Sequence, residues 1–140
     1  MNFMYLDTNV LVRFVTGEPE KQAQEVAKLV SVAESGKVRL CVLPLVLAEA
    51  VYVLNGFYQH PRAKVSAALS HLIGCPGFHS LEQNKMIEAL ELFSTTKIDF
   101  ADCYLAASAK IDGVPVVSFD RDFDKIAGVI RKNPKEAHLP

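Results

Sequence analysis

Four acidic residues of the sequence stand beside apolar segments and could do chemistry together. Asp7 and Asp120 each follow an apolar, strand-like run, Asp102 lies in the first turn of a predicted helix, and Glu49 is the only charge in another. Carboxylates that crowd together either take up protons with raised pKa values or bind hard divalent cations. No cluster of Lys or Arg accompanies them. The four acids therefore predict a Mg²⁺ or Mn²⁺ site suited to phosphodiester hydrolysis.

Each of these aspartates also has a purely structural interpretation. Asp7 is a preferred N-cap residue for a helix that begins near Thr8, and Asp120 suits a turn or a cap. Asp99 and Asp102 are three residues apart, as the N-cap and N3 positions of a helix are, and the macrodipole favours an acid at both. We interpret Asp99 as that N-cap. Asp102 lies among Ala and Cys residues that imply close packing, which favours a place in the site.

The elements that would position these acids alternate between strands and helices. Strands are predicted at residues 3–6, 38–42, 78–81 and 114–118, with an edge strand near 129–130; helices are predicted from about 8 to 16, and at 20–34, 44–57, 61–72, 82–95 and 99–112. We therefore expect an α/β fold, a three-layer sandwich with a mostly parallel, twisted sheet flanked by helices. The carboxyl ends of the strands then share one edge, where the four acids would converge.

The helix predicted for residues 44–57 is apolar almost all round, and such a helix is normally buried on most faces. Its single charge is Glu49. The residues three and four positions away on either side are uncharged, so no Lys or Arg of the same helix can pair with it. A buried carboxylate without a partner is destabilising by about several kcal/mol. Glu49 is therefore expected to meet a partner from elsewhere in the fold or a bound cation.

Length and composition fit one globular domain. The chain has 140 residues, of which 50% are hydrophobic, and its net charge is −1. We expect residues 1–132 to form a single domain and residues 133–140 to form a loose tail. The weak net charge does not indicate a nucleic-acid binder, so a polyanion would need a local patch or metal ions.

Cysteine usage and hydropathy exclude several other classes. Cys41, Cys75 and Cys103 are widely spaced and have no Cys or His partner at zinc-finger distance, which argues against structural zinc and a disulfide framework. The longest apolar run, residues 41–48, is too short to span a bilayer. Met1 leads directly into the first strand, which leaves no room for a signal peptide. We expect a cytoplasmic protein without a membrane segment.

The ordered set of motifs resembles the PIN domain, and in particular the VapC-type toxins of bacterial toxin–antitoxin pairs. The matching motifs, in chain order, are Asp7-Thr8-Asn9, Glu49 within an apolar helix, Asp102 in Asp-Phe-Ala-Asp-Cys-Tyr-Leu-Ala-Ala, and Asp120 in Ser-Phe-Asp-Arg-Asp-Phe. The resemblance covers essentially the whole chain. It implies a Mg²⁺- or Mn²⁺-dependent endoribonuclease in which those four acids bind the metal. Thr8 and Asn9 would support Asp7, and Ser118 falls where the family often has Thr.

The same resemblance implies binding partners. It predicts RNA as the substrate, a homodimer, and an inhibitory antitoxin that inserts a segment at the active site. Arg13, Arg121 and Lys125 lie close to the acidic motifs in sequence, and either meet phosphates or are solvated surface charges.

Some assignments stay open at this point. Asp122 and Asp124 also follow the last predicted strand, so the sequence does not decide which carboxylate there binds metal. A phosphohydrolase of the haloacid-dehalogenase class also starts with an Asp after its first strand, but it needs a second Asp two residues later, where this chain has Asn9. A non-catalytic PIN-like binding module is the other alternative, and the complete set of four acids argues against it.

Overall fold

The computed structural model describes residues 2–137, apart from the side chain of Asn2. Residues 138–140 of the predicted tail lie outside the described residues. In chain order the elements are β1 (Asn2–Tyr5), α1 (Thr8–Thr16), α2 (Glu20–Glu34), β2 (Val38–Cys41), α3 (Pro44–Tyr52), a π-helical turn (Val53–Phe57), α4 (Arg62–Ile73), α5 (Gln83–Thr95), α6 (Phe100–Asp112), β3 (Val116–Val117), a 3₁₀ helix (Arg121–Lys125), β4 (Arg131–Lys132) and α7 (Pro134–Ala137).

The first helix is bounded by residues that stop and start helices locally. Asp7 has extended backbone angles, and its Oδ1 accepts a hydrogen bond of 2.8 Å from the Thr8 amide, so Asp7 caps α1. Gly17 has a left-handed φ of 72° and ends the helix, and its amide donates a hydrogen bond to the carbonyl of Arg13. The following helix, α2, covers Glu20–Glu34 as its apolar stripe predicts.

All strand pairs are parallel, which confirms the α/β class. β1 pairs with β2 and β3 pairs with β4, each as a separate two-stranded sheet. Within residues 2–137 no strand joins the two sheets. The strand predicted at residues 78–81 contributes only an isolated bridge between Phe78 and Leu40. β3 is shorter than the predicted 114–118, and Pro115 has no amide hydrogen to extend its ladder. The three-layer sandwich stays a prediction.

β1 is less buried than its apolar run predicts. Phe3 and Tyr5 are 51% and 65% exposed, and only Leu6, just beyond the strand, belongs to the core. The two rings contact each other edge to face with their centroids 5.5 Å apart. The expectation of a buried first strand is wrong for this chain by itself, because the face that Phe3 and Tyr5 share lines a surface depression. The strand leaves an aromatic surface next to the edge where Asp7 lies.

α3 also departs from the predicted burial. Leu47, Ala50 and Val51 are in the core, whereas Leu45 and Tyr52 are 79% and 78% exposed. An apolar helix that is exposed on one side presents a surface suited to another molecule. The predicted helix of residues 44–57 is continuous, but its last turn, Val53–Phe57, is a π-helix rather than an α-helix.

Two hydrophobic clusters hold the elements together. The larger one joins α1 to α6 across the strands, with fully buried leucines such as Leu11, Leu47 and Leu90. The smaller one packs Phe123 of the 3₁₀ helix and Val116 of β3 against Ala106 and Ala109 of α6. This second cluster fixes the segment that carries Asp120 to the helix that carries Asp102.

Arg62 fixes the start of α6 from the opposite side. Its guanidinium carbon lies 3.6 Å from the centroid of the Phe93 ring, and its Nε donates to the Phe93 carbonyl at 2.8 Å. Its Nη2 donates to the carbonyl of Ile98, directly before the N-cap residue Asp99. A stacked and hydrogen-bonded Arg is held more rigidly than a Lys at the same position. The first turn of α6 therefore has a defined position in the fold.

The short helix α7 follows β4 at the end of the described chain, and its residues are exposed. In residues 2–137, every helix is too short or too polar to cross a bilayer. The proposed limit of the domain at residue 132 stays a prediction.

Replacing Gly77 tests the packing of the segment before Phe78 against Ala33 of α2. Gly77 has a φ of +92°, and a Cβ on it would lie 2.4 Å from the carbonyl oxygen of Ala33. Gly77→Ala should lower the free energy of unfolding by about 3 kcal/mol, from backbone strain and steric overlap. Chemical denaturation measures this change. Gly56→Ala is the control, because a Cβ there meets open space; equal stability losses in both variants would contradict the packing described.

Candidate active site

A hydrogen bond between two helices organises the first half of the candidate site. Thr8 Oγ1 at the start of α1 donates to Glu49 Oε2 of α3 at 3.1 Å. The Thr8 amide donates to Asp7 Oδ1. Thr8 itself is buried, with 7% of its surface exposed. One threonine thus makes a hydrogen bond to each of the two carboxylates.

Asp7 and Glu49 face the same depression. It encloses about 320 Å³ and is lined by Asp7, Thr8, Asn9, Val12, Arg13, Glu49, Val53, Phe57 and Tyr58. Asp7, Asn9 and Glu49 are exposed to solvent, and Arg13 is partly buried. The wall is therefore mixed: acids on one side, one arginine, and two aromatic rings.

The position of Glu49 corrects one sequence prediction. The apolar helix around it indicates burial, yet the side chain is exposed and points into an open depression. Its partner does come from elsewhere in the fold, as predicted, but that partner is the Thr8 hydroxyl. The desolvation argument for a cation at Glu49 is therefore wrong for this chain by itself. Its geometry beside Asp7 is what remains in favour of a site.

Asp102 forms the second half of the candidate site. It lies in the first turn of α6 and is partly buried. Burial raises the pKa of its carboxyl above the ordinary value of 3.8, and the negative charges of Asp99, Asp120 and Asp122 raise it further. These acids therefore act on one another electrostatically, although they come from two separate segments of the chain.

Asp99 occupies the N-cap position of α6, as we interpret it from the sequence. Its backbone angles are extended, but its side chain makes no capping hydrogen bond. Its carboxylate is exposed and acts on Asp102 through its charge. The N-cap interpretation describes the place of Asp99 in the chain but not the contacts of its side chain.

The segment after β3 positions Asp120. The amide of Asp120 donates to Ser118 Oγ at 2.9 Å, and Asp120 Oδ1 accepts from the amide of Asp122 at 2.9 Å. The Ser118 carbonyl accepts from Arg131 Nη1 at 3.0 Å, which ties this turn to β4. The Ser118 hydroxyl thus helps to hold the turn that carries Asp120.

The two other acids of this segment have cationic partners. Lys125 Nζ lies 3.1 Å from Asp122 Oδ1, and Arg131 holds both oxygens of Asp124 with bonds of 3.0 and 3.1 Å. Asp120 has no such ion pair among the residues that the structure describes. This difference bears on the choice that the sequence leaves open after the last strand.

The predicted acids are therefore brought together as two groups. Asp7 and Glu49 share one depression, and Asp102 interacts with Asp120, Asp99 and Asp122. In residues 2–137 no three potential ligands already stand in metal-binding geometry. The donor chemistry nevertheless fits Mg²⁺, because carboxylate oxygens are its usual protein ligands and it keeps several of its own waters.

Two aromatic residues of the depression were missed by sequence reasoning. Phe57 and Tyr58 line it together with Glu49, which lies two helical turns earlier. A spacing of eight residues on a helix was the available signal, since such residues share a face. Arg13, which sequence proximity brought forward, also lines the depression.

The structure defines an α/β protein in which Asp7 and Asp120 follow parallel strands, whereas Glu49 and Asp102 lie on helices. The PIN domain family matches residues 4–129, and the chain belongs to that family. The chain is also similar to a VapC ribonuclease of Aquifex aeolicus (strain VF5), with 32% identity over 132 residues that cover 94% of this chain and 96% of the relative. The resemblance stated from the motifs is confirmed, and the haloacid-dehalogenase alternative loses its support.

The raised pKa of Asp102 predicts a pH-dependent effect on stability in metal-free buffer. The folded protein binds a proton at Asp102 more tightly than the unfolded chain, so this group destabilises the fold increasingly as pH rises above 3.8. Asp102→Asn should therefore stabilise the protein at pH 7, by less than about 1 kcal/mol because the side chain is partly solvated. The gain should vanish below the ordinary pKa.

Denaturation of both proteins between pH 3 and pH 7, with chelator present, measures this difference. Asp112→Asn at the other end of α6 is the matched control, because Asp112 pairs with Lys85 at 2.8 Å and should give no gain. A constant difference between Asp102→Asn and the parent at all pH values would contradict the electrostatic origin.

Proposed function

We propose that this chain is an endoribonuclease that hydrolyses RNA phosphodiester bonds with a divalent cation, and that it is the toxin of a toxin–antitoxin pair. Membership of the PIN domain family and similarity to a VapC ribonuclease support the nuclease class. The observation that carries the proposal is the placement of carboxylates close to one another: Asp7 and Glu49 line one depression, and the negative charges of three other acids act on Asp102. A bound cation relieves such repulsion.

The cation is Mg²⁺, with Mn²⁺ as the alternative, and Asp7, Glu49, Asp102 and Asp120 would hold it. When bound, such an ion polarises a phosphoryl oxygen and favours ionisation of a water molecule. Mg²⁺ normally takes only one or two protein carboxylates besides substrate phosphates. This preference is compatible with two separate groups of acids that are completed by the substrate.

The contribution of the chain itself is to hold these carboxylates in place before RNA binds. Thr8 orients Glu49 with its hydroxyl and Asp7 with its amide. Ser118 holds the turn that carries Asp120. Preorganised groups need little rearrangement during the reaction, which is the main source of electrostatic catalysis.

Asp120, rather than Asp122, is the fourth acid in this proposal. Asp122 has Lys125 as its partner, and Asp124 has Arg131. A carboxylate that is already paired gains less from a cation than an unpaired one. Asn9 lines the depression beside Asp7 and has a supporting role.

The proposal extends to arrangement and partners. The domain covers residues 1–132, its two small sheets are halves of the three-layer fold, and the protein is a cytoplasmic homodimer held inactive by an antitoxin. The exposed apolar side chains of Leu45 on α3, and of Phe3 and Tyr5 on β1, support protein–protein contacts of this kind.

A cleavage assay tests the nuclease. The purified chain, separated from any bound partner, is incubated with structured and unstructured RNAs and Mg²⁺ or Mn²⁺. Asp102→Asn should lower the cleavage rate by about 100-fold or more, since it removes a charge that acts on the reacting groups. A chelator should stop cleavage, and Asp112→Asn on the same helix should leave it unchanged. RNA binding without cleavage by the parent would favour the non-catalytic binding module.

Metal binding is measured independently by thermal unfolding. Mg²⁺ or Mn²⁺ at a hundred times its dissociation constant should stabilise the folded chain by about 2.7 kcal/mol. Glu49→Gln should keep the stability of the parent in metal-free buffer, because Glu49 is exposed, and should lose much of the metal response. A full metal response in Glu49→Gln would remove Glu49 from the metal site, whereas unfolding of the variant would assign Glu49 a structural role.

A further inference from the structure

The ring of Phe57 lines the depression that also holds Asp7 and Glu49. Phe57 is the last residue of the π-helical turn that follows α3, and 79% of its surface is exposed. Single exposed apolar side chains are common on protein surfaces, and what distinguishes Phe57 is that it forms part of the wall of an acidic depression.

Phe57 ends a π-helical turn that continues α3. The Tyr58 amide donates to the Val53 carbonyl, five residues back, at 3.1 Å. Glu49, Val53 and Phe57 are spaced by four residues and line one depression, whereas Tyr52, Asn55 and Gly56 line another on the far side of the helix. π-helical turns inside helices are frequent at functional sites.

The ring is also supported from behind. Phe57 and Tyr58 contact edge to face, with centroids 5.1 Å apart and planes at 80°. Tyr58 is partly buried and packs against the main core. The edge-to-face neighbour restrains the ring of Phe57, and the exposure of that ring leaves room for a flat partner.

Arg13 supplies a positive charge in the same depression. Its Nε donates to Gln22 Oε1 at 2.7 Å, which orients the side chain. In residues 2–137, no carboxylate lies within ion-pair distance of it. Its remaining N–H groups are therefore available to a phosphate.

We propose that Phe57 stacks against an unpaired base of the RNA while Arg13 contacts an adjoining phosphate, which makes these two side chains the substrate contacts of the depression. This inference rests on the proposed function. A base inside a duplex has both faces covered by its neighbours, whereas an unstacked base offers a face to an aromatic ring. Phe57 is thus a specificity-determining residue for the reaction at Asp7 and Glu49.

The chain contains no tryptophan, which makes a direct test available. Phe57→Trp introduces a single reporter, and Tyr52→Trp is the matched control, because Tyr52 is 78% exposed on the same helical segment but lines the other depression. Each variant is titrated with a single-stranded oligoribonucleotide and with a duplex of the same sequence, in chelator to prevent cleavage. Binding is followed separately by the anisotropy of labelled RNA.

The expected result is quenching of the Phe57→Trp emission by the single strand, little quenching by the duplex, and no change in Tyr52→Trp. Phe57→Ala should weaken binding of the single strand about tenfold, since stacking contributes that much per base. Tyr52→Ala should change it less than twofold. Phe57→Tyr should bind like the parent because it keeps the ring.

Other outcomes overturn the inference. Bound RNA without quenching, equal quenching at both tryptophans, or absence of RNA binding would each exclude stacking at Phe57. An emission change that depends on protein concentration without RNA would assign the surface to a second copy of the chain. Failure of the proposed function is distinct: quenching confined to Phe57→Trp in a protein that cleaves no RNA would retain the stacking site and remove the nuclease.

Discussion

Repulsion among like charges is the constraint on which the arrangement of the acids around Asp102 depends. Asp102 is partly buried and experiences the negative charges of Asp99, Asp120 and Asp122, so the fold holds it against an electrostatic penalty. The penalty is tolerated because α6 is fixed at both sides, by Arg62 at its start and by the small cluster around Phe123. Local hydrogen bonds to Ser118 and Asp122 hold Asp120 in place. The proximity of these carboxylates therefore lowers the stability of the folded protein.

The sequence predicts the placement of the acids along the chain better than their surroundings. Asp7 and Asp120 follow strands, and Asp102 opens a helix, because helix and strand periodicity and N-cap preferences are local properties of the chain. The bounds of α2 follow for the same reason. The sequence does not show which acid after the last strand lacks an ion pair, because the contacts of Lys125 and Arg131 form only in the folded chain.

Burial was predicted less well, for a physical reason. The apolar runs of β1 and α3 indicate surfaces that avoid water, but they do not say whether the same chain or another molecule covers them. Phe3, Tyr5 and Leu45 are exposed here, and so is Glu49. The π-helical turn at Val53–Phe57 had no distinct signal either, since the same residues suit an α-helix. The spacing of Glu49 and Phe57 indicated a shared helix face, but only the fold shows that this face lines the depression.

The two parts of the candidate site are held by hydrophobic clusters of different size. Asp7 and Glu49 are attached to elements of the main core, whereas the turn that carries Asp120 depends on a few contacts of Val116, Phe123 and Ile126 with α6. Regions with few buried contacts open at lower free energy than the whole molecule. Amide protons around Asp120 should accordingly exchange with solvent through sub-global openings, so the acidic edge can be dismantled from its C-terminal side while the rest of the chain remains folded.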